Sequence, residues 1–122
     1  TKGSIAAADA MVDKVLGPGA SPTLRDRWHT IMRSTPPEGV IAAASALLHR
    51  PNATPLLGTI NVPTLVVAGD RDQITPLDGM LAMHRAIKGS AFACVPNSGH
   101  LAPVEQPEIF AAILRKFMVG LA

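Results

Sequence analysis

Acidic residues and a histidine follow two short apolar runs in the second half of the chain. Asp70 and Asp72 come at the end of the run 62–68, and His100 comes shortly after the run 91–95. The carboxyl ends of neighbouring parallel strands meet at one edge of a sheet, where open α/β sheets hold their ligands. An acid and a histidine at that edge could act as a general-base pair, in which the acid fixes the tautomer of the histidine.

The segments 60–67, 69–76 and 98–110 together resemble the C-terminal part of an α/β-hydrolase-fold enzyme. In that family the acid lies in a Gly-x-x-Asp-x-x-x-Pro turn, which corresponds here to Asp72. The histidine lies in a Gly-His-x-x-x-x-Glu-x-Pro segment, which corresponds here to His100. The segment 46–52, which precedes the first strand, resembles that of small bacterial esterases and enol-lactone hydrolases. The diagnostic part of the resemblance covers about half of the chain.

The resemblance implies that Asp72 orients His100, which acts as general base and then as general acid towards an ester or lactone. Asp70 is the alternative acid, and we interpret it as a solvated residue of the turn. We interpret Glu105 as a structural acid that ties the loop near the histidine. Gly99 is expected to supply a backbone conformation that is closed to other residues.

The nucleophile that this mechanism needs is not identified in the sequence. In the family it is a serine in a Gly-x-Ser-x-Gly elbow, and it precedes the acid along the chain. None of the serines before the acid has glycines two residues before and after it: Ser4, Ser21, Ser34 and Ser45. Cys94 lies inside a predicted strand and is a poor substitute. We therefore expect the elbow to belong to sequence outside this chain, and the chain alone to be inactive towards esters.

Hydrophobic periodicity predicts three N-terminal helices, then two strands that alternate with two helices. The predicted helices cover 4–16, 21–33, 35–50, 77–87 and 106–119, and the strands cover 64–68 and 91–95. Ser4 is a candidate cap of the first helix. The predicted fold class is therefore α/β, with two parallel strands, flanking helices and an N-terminal helical lid. Residues 1–55 are assigned to the lid or cap, and residues 56–122 to the C-terminal βαβα part of a hydrolase core.

The composition limits the partners and the location that we expect. With 122 residues, 48% of them hydrophobic, the chain suits one domain, and its net charge of +2 without a basic cluster predicts no nucleic-acid binding. No apolar stretch approaches the roughly 18 residues of a membrane span. A single cysteine is compatible with a reducing cytosol, so we expect a cytoplasmic protein.

The histidines outside the motif lack metal-ligand spacing, and we expect neither a metal nor a cofactor: His29, His49 and His84.

Two alternatives remain open at this point. The chain could be a non-catalytic module that self-associates, or that pairs with a complementary N-terminal half, through the open edge of its strand 64–68. Alternatively, related folds carry out haloperoxidase, dehalogenase and epoxide hydrolase reactions with the same acid and histidine positions. The missing nucleophile, Ser or Asp, decides between these reactions and ester hydrolysis.

Overall fold

A computed structural model describes the backbone of residues 2–121 and the side chains of residues 5–121. Three helices precede a strand–helix–strand–helix unit, which confirms the predicted fold class. The elements are α1 Lys2–Val15, α2 Pro22–Ser34, α3 Pro37–Leu48, a 3₁₀ helix Thr54–Thr59, β1 Leu65–Gly69, α4 Leu77–Ala86, β2 Ala91–Val95, α5 Ala102–Glu105 and α6 Pro107–Val119.

Local sequence signals account for the start of α2. Ser21 caps α2, because its hydroxyl oxygen accepts a hydrogen bond from the Leu24 N–H at 3.2 Å, and Pro22 follows at the favoured first position. The prediction that Ser4 caps α1 is wrong, since α1 begins at Lys2. Ser4 lies outside the range 5–121 whose side chains the structure describes. The predicted last helix corresponds to α6. A short helix that was not predicted, α5, precedes it, and Gln106, with φ −134° and ψ 61°, separates the two.

The two strands pair in parallel, with Leu65 opposite Ala91 and Gly69 opposite Val95. Helix α4 connects them, and both strands therefore end at the same edge of the sheet. Beyond that edge the two loops continue the pairing, since the Arg71 N–H donates to the Ser98 carbonyl at 2.9 Å. The sheet thus brings the loop after β1 against the loop after β2.

Burial of β1 on both faces, which its unbroken apolar sequence suggests, is found on one face only. Val66 and Ala68 are buried, whereas Leu65 and Val67 on the opposite face are partly exposed and line an open cleft. Cys94 in β2 is exposed. The described core is small, and it consists of Ala8, Val15, Leu16, Val66, Ala68, Ile87, Val95 and Ala102.

The C-terminal end of α1 packs directly against the loop that carries the histidine. The His100 N–H donates to the Val15 carbonyl at 2.9 Å. A Cβ on Gly99 would lie 2.5 Å from the backbone nitrogen of Gly17, and a Cβ on Gly17 would lie 2.8 Å from that of Gly99. The first segment and the histidine loop are therefore joined backbone to backbone, with room for glycine only.

This contact corrects the reason that we gave for Gly99. Its φ is not positive, so the residue is required by the close approach of Gly17 and not by a conformation closed to other residues. The left-handed conformation lies two residues earlier, at Asn97, with φ 54°. Asparagine is one of the few residues other than glycine that adopts this conformation readily.

Glu105 fastens the two segments together. One oxygen of its carboxylate accepts a hydrogen bond from the Gly17 N–H at 2.7 Å, and the other accepts from the Gly99 N–H at 2.9 Å. These two bonds, which we call the Glu105 bridge, confirm the interpretation of Glu105 as a structural acid. They satisfy backbone donors that would otherwise lose a partner inside the contact.

Removal of the Glu105 bridge is expected to destabilise the chain strongly. Glu105→Ala leaves the Gly17 and Gly99 N–H groups without their charged acceptor, and we expect a loss of about 2–4 kcal/mol in the free energy of unfolding. Glu105→Gln keeps one acceptor oxygen and should lose about half as much. Urea unfolding of both variants measures the effect.

Glu108→Gln is the matched control, because Glu108 is exposed in the first turn of α6. We expect it to unfold within about 0.5 kcal/mol of the wild type, as surface substitutions usually do. If Glu105→Ala also stayed within that margin, the bridge would not hold α1 to the histidine loop.

Candidate active site

The structure brings together the two residues that the sequence singled out. Nδ1 of His100 lies 2.9 Å from Oδ2 of Asp72, although the residues are 28 positions apart in the chain. The side chain of Asp72 is only 5% exposed, whereas that of His100 is 39% exposed. The pair therefore consists of an almost buried carboxylate and an imidazole that solvent or a ligand can reach.

The turn after β1 holds the carboxylate in a fixed orientation. Oδ1 of Asp72 accepts hydrogen bonds from the N–H groups of Ile74 at 2.8 Å and Thr75 at 3.0 Å. Oδ2 accepts a hydrogen bond from the hydroxyl of Thr75 at 2.6 Å. Both oxygens are thus bound within three residues of the acid, and Oδ2 is turned towards the histidine.

These contacts lower the pKa of Asp72. Burial is the largest single influence and would raise the pKa, but the hydrogen bonds from Thr75, His100 and Ile74 together outweigh it, so the pKa lies below its ordinary value of 3.8. Asp72 is consequently ionised at neutral pH. An ionised acid on Nδ1 favours the histidine tautomer whose Nε2 carries no hydrogen.

Nε2 of His100 makes no hydrogen bond with any side chain of residues 5–121. Beside the pair lies a cleft of about 550 Å³. Its lining combines the polar groups of the site with one face of β1 and with α4, α5 and α6: Leu65, Val67, Gly69, Asp72, Thr75, Met80, His100, Ala102, Pro103, Phe110, Leu114, Phe117 and Met118. The free imidazole nitrogen is therefore available to take a proton from a group in an apolar setting.

The environment of Asp70 differs from the solvated turn position that we expected. Its side chain is 30% exposed, and Oδ1 accepts a hydrogen bond from the Ser98 N–H at 3.3 Å. Ser98 itself is fully buried, and its hydroxyl donates to the Val95 carbonyl at 3.0 Å. Asp70 is thus a structural link between the two loops and not a solvated turn acid. Arg71 beside it is exposed.

The other histidines lie apart from this site. Nε2 of His29 lies 2.5 Å from Oδ1 of Asp9 and links α2 to α1. Nδ1 of His49 faces the Ser45 carbonyl, and Nδ1 of His84 faces the hydroxyl of Ser90; these two contacts are local. Within the described residues no group of three acids, histidines or cysteines is placed to hold a metal ion.

Thr75 is the site residue that the sequence prediction missed. Its hydroxyl contacts Asp72 and lies 3.3 Å from Nδ1 of His100. The available signal was an acid followed three residues later by threonine, a spacing at which a side chain and a backbone N–H can both reach the carboxylate.

None of the helices in the described part of the chain is long and apolar enough to cross a membrane.

The lowered pKa of Asp72 predicts a pH-dependent contribution to stability. Because the pKa is lower in the folded chain than in the unfolded chain, the contribution is present above 3.8 and is lost as the pH falls through the folded value. The difference in unfolding free energy between the wild type and Asp72→Asn should therefore be largest near about pH 6 and should shrink towards about pH 2.5.

Urea unfolding at several pH values measures this difference. Asp26→Asn, which changes an exposed carboxylate in α2, controls for the altered net charge. If the difference between wild type and Asp72→Asn did not change with pH, the hydrogen bonds to Asp72 would not stabilise its ionised form.

Comparison with known proteins agrees with this fold. Residues 44–119 match the family described as TAP-like protein. The chain is 38% identical over 72 residues to a pimeloyl-acyl-carrier protein methyl ester esterase of Neisseria meningitidis, which is 59% of this chain and 23% of that protein. It is 31% identical over 90 residues to 3-oxoadipate enol-lactonase 1 of Acinetobacter baylyi, which is 74% of this chain and 33% of that protein.

A thermophilic esterase from Thermogutta terrifontis has a similar structure, with a TM-score of 0.92 and 35% identity. The match covers 98% of this chain and 45% of that one, so the chain spans less than half of these relatives. Since the family match extends over more than half of the chain, the chain belongs to the TAP-like family of α/β-hydrolase-fold proteins.

Proposed function

We propose that this partial α/β hydrolase of the esterase and lactonase type supplies the acid and the histidine of a Ser–His–Asp triad that cleaves ester or lactone bonds in small molecules. The observation that supports the proposal is the contact of 2.9 Å between Nδ1 of His100 and an almost buried Asp72. Nε2 of the same ring is left free beside an apolar cleft.

In the proposed mechanism Nε2 of His100 takes the proton of a nucleophilic hydroxyl as that hydroxyl attacks the substrate carbonyl. Asp72 stabilises the imidazolium that forms, and His100 then gives the proton to the departing alcohol oxygen. Water enters next and loses a proton to Nε2 as it attacks the acyl carbon. Nε2 then returns that proton to the oxygen of the nucleophile as the acyl bond breaks, which releases the acid product and restores the free hydroxyl. Asp72 stays ionised throughout because its pKa is lowered.

The nucleophile and most of the oxyanion hole come, in this proposal, from sequence outside the chain. Three of the serine hydroxyls described in the structure make local contacts instead. Ser21 caps α2, Ser34 donates to the Ile31 carbonyl at 2.8 Å, and buried Ser98 donates to Val95. A nucleophilic Ser or Asp elsewhere would decide between ester hydrolysis and the dehalogenase or epoxide hydrolase type of reaction.

A chimera tests the proposal. The matched 45% of the Thermogutta terrifontis esterase is replaced by this chain, and hydrolysis of p-nitrophenyl acetate is followed. We expect the chimera to hydrolyse the ester, and Asp72→Asn and His100→Gln each to lower kcat by about 10³–10⁴-fold, as loss of a triad member does. The chain alone should show no more turnover than free imidazole.

His49→Gln is the matched control, since His49 is exposed at the end of α3 and bonds only to the local Ser45 carbonyl. A folded chimera without hydrolysis would contradict the proposal. Turnover by the chain alone that depends on His100 would mean that the nucleophile is in this chain, and Ser4 would be substituted first.

We also propose that the partner of this chain is the complementary N-terminal part of the same fold. Within the described residues β1 pairs only with β2, which leaves its other edge open. Large apolar side chains are exposed at several places: Leu47, Leu48, Leu56, Val62, Met118 and Val119. The chain spans only 45% of the similar esterase, so further chain of that fold is the occupant that fits this surface.

Sedimentation velocity tests this partner. We mix the chain with the unmatched part of the Thermogutta terrifontis esterase and expect a complex of one copy of each. Val67→Lys, which places a charge on the cleft face of β1, should weaken the complex at least tenfold because a buried charge is costly. Ile41→Lys on α3 is the control. A chain that stays monomeric and forms no complex, or that binds only itself, would contradict the proposal.

A further inference from the structure

Thr75 touches both members of the acid–histidine pair. Its hydroxyl oxygen lies 2.6 Å from Oδ2 of Asp72 and 3.3 Å from Nδ1 of His100, while its backbone N–H lies 3.0 Å from Oδ1 of Asp72. One residue therefore contacts both oxygens of the acid and the ring nitrogen that faces it. Neither the family resemblance nor the proposed triad gives this residue a role.

The hydrogen atoms of this cluster can be assigned by counting donors. An ionised carboxylate only accepts hydrogen bonds, so the single hydroxyl hydrogen of Thr75 is the one that lies between it and Asp72. The hydroxyl oxygen then presents only lone pairs to Nδ1 of His100. Oδ2 of Asp72 presents only lone pairs to the same nitrogen.

Two acceptors thus face one ring nitrogen, and the contact is favourable only if Nδ1 carries the hydrogen. We propose that Thr75 is a positioning residue that holds Oδ2 of Asp72 against His100 and fixes the ring in the Nδ1–H tautomer, with Nε2 unprotonated. Its consequence for catalysis rests on the proposed function, because only a reaction that uses Nε2 as the base would benefit. The arrangement itself is a property of this chain.

Threonine suits this position for two reasons. Its branched Cβ restricts χ1, so the hydroxyl loses little freedom when it is held between the two groups. Its backbone N–H is used on Oδ1 at the same time, which keeps the carboxylate from rotating about its own axis. The hydroxyl also contributes to the lowered pKa of Asp72.

The test is nuclear magnetic resonance of the chain itself, which needs no nucleophile. Long-range ¹H–¹⁵N spectra at pH 8 report which ring nitrogen of each histidine is protonated, and carboxyl ¹³C titration reports the pKa of Asp72. In the wild type we expect an Nδ1–H tautomer for His100. In Thr75→Val we expect a mixture of tautomers, faster exchange of the Nδ1 hydrogen with water and a higher pKa of Asp72.

Thr75→Ser keeps the hydroxyl but removes the methyl group. It should restore the tautomer, the slow exchange of the Nδ1 hydrogen and the low pKa of Asp72. If Thr75 acted only through packing of its methyl group, Thr75→Ser would not restore them. Thr30→Val is the matched control, because it removes a hydroxyl that bonds only to the Asp26 carbonyl in α2. If Thr75→Val folded and its spectra matched those of the wild type, the positioning role would be overturned.

Activity of the chimera separates this inference from the proposed function. We expect Thr75→Val to lower kcat by about tenfold with KM changed less than twofold, since the loss acts on the base and not on substrate binding. If the spectra of Thr75→Val differ from those of the wild type as expected but the wild-type chimera does not hydrolyse the ester, the proposed function is overturned and the positioning by Thr75 is supported. Full hydrolysis by Thr75→Val with unchanged spectra would overturn the positioning alone.

Discussion

The close approach of backbone to backbone at the edge of the sheet is the constraint on which the site depends. Gly17 at the end of α1 and Gly99 in the histidine loop leave no space for a Cβ, and a Cβ on Gly69 would overlap the carbonyl oxygen of Gly99. Such proximity leaves N–H groups that water cannot reach, and the Glu105 bridge supplies acceptors for two of them. Sterics and hydrogen bonding thus fix where His100 leaves the loop.

The electrostatics of the site follow from the same edge. Asp72 reaches the histidine because β1 and β2 end in register, and its turn supplies donors to both carboxylate oxygens before His100 adds one more. A nearly buried carboxylate would otherwise be driven towards its neutral form. The turn therefore makes it possible to keep an anion beside an apolar cleft. Because the anion is fixed in orientation, it can direct the imidazole as well as attract it.

The sequence sufficed to predict the strands, the main helices and the meeting of Asp72 with His100. Apolar runs and a local motif carry that information, and both are short-range. What could not be predicted depends on contacts between distant segments. Gly99 is needed because Gly17 approaches it, Asp70 is occupied by Ser98, and β1 is exposed on one face because little of the chain covers it. The residue pattern within one segment does not indicate which distant segment will pack against it.

The acid–histidine pair is complete in a chain that spans less than half of its structural relatives. Every group that orients the pair comes from the described residues, from the end of α1 to α5. The exposed apolar face of β1 lies on the cleft side of the same pair. In the proposed function, the part of the fold that orients His100 is thereby distinct from the part that would complete the cleft. The hydrogen bonds that orient the imidazole are confined to one sheet edge, whereas the apolar face of β1 stays partly exposed in this chain.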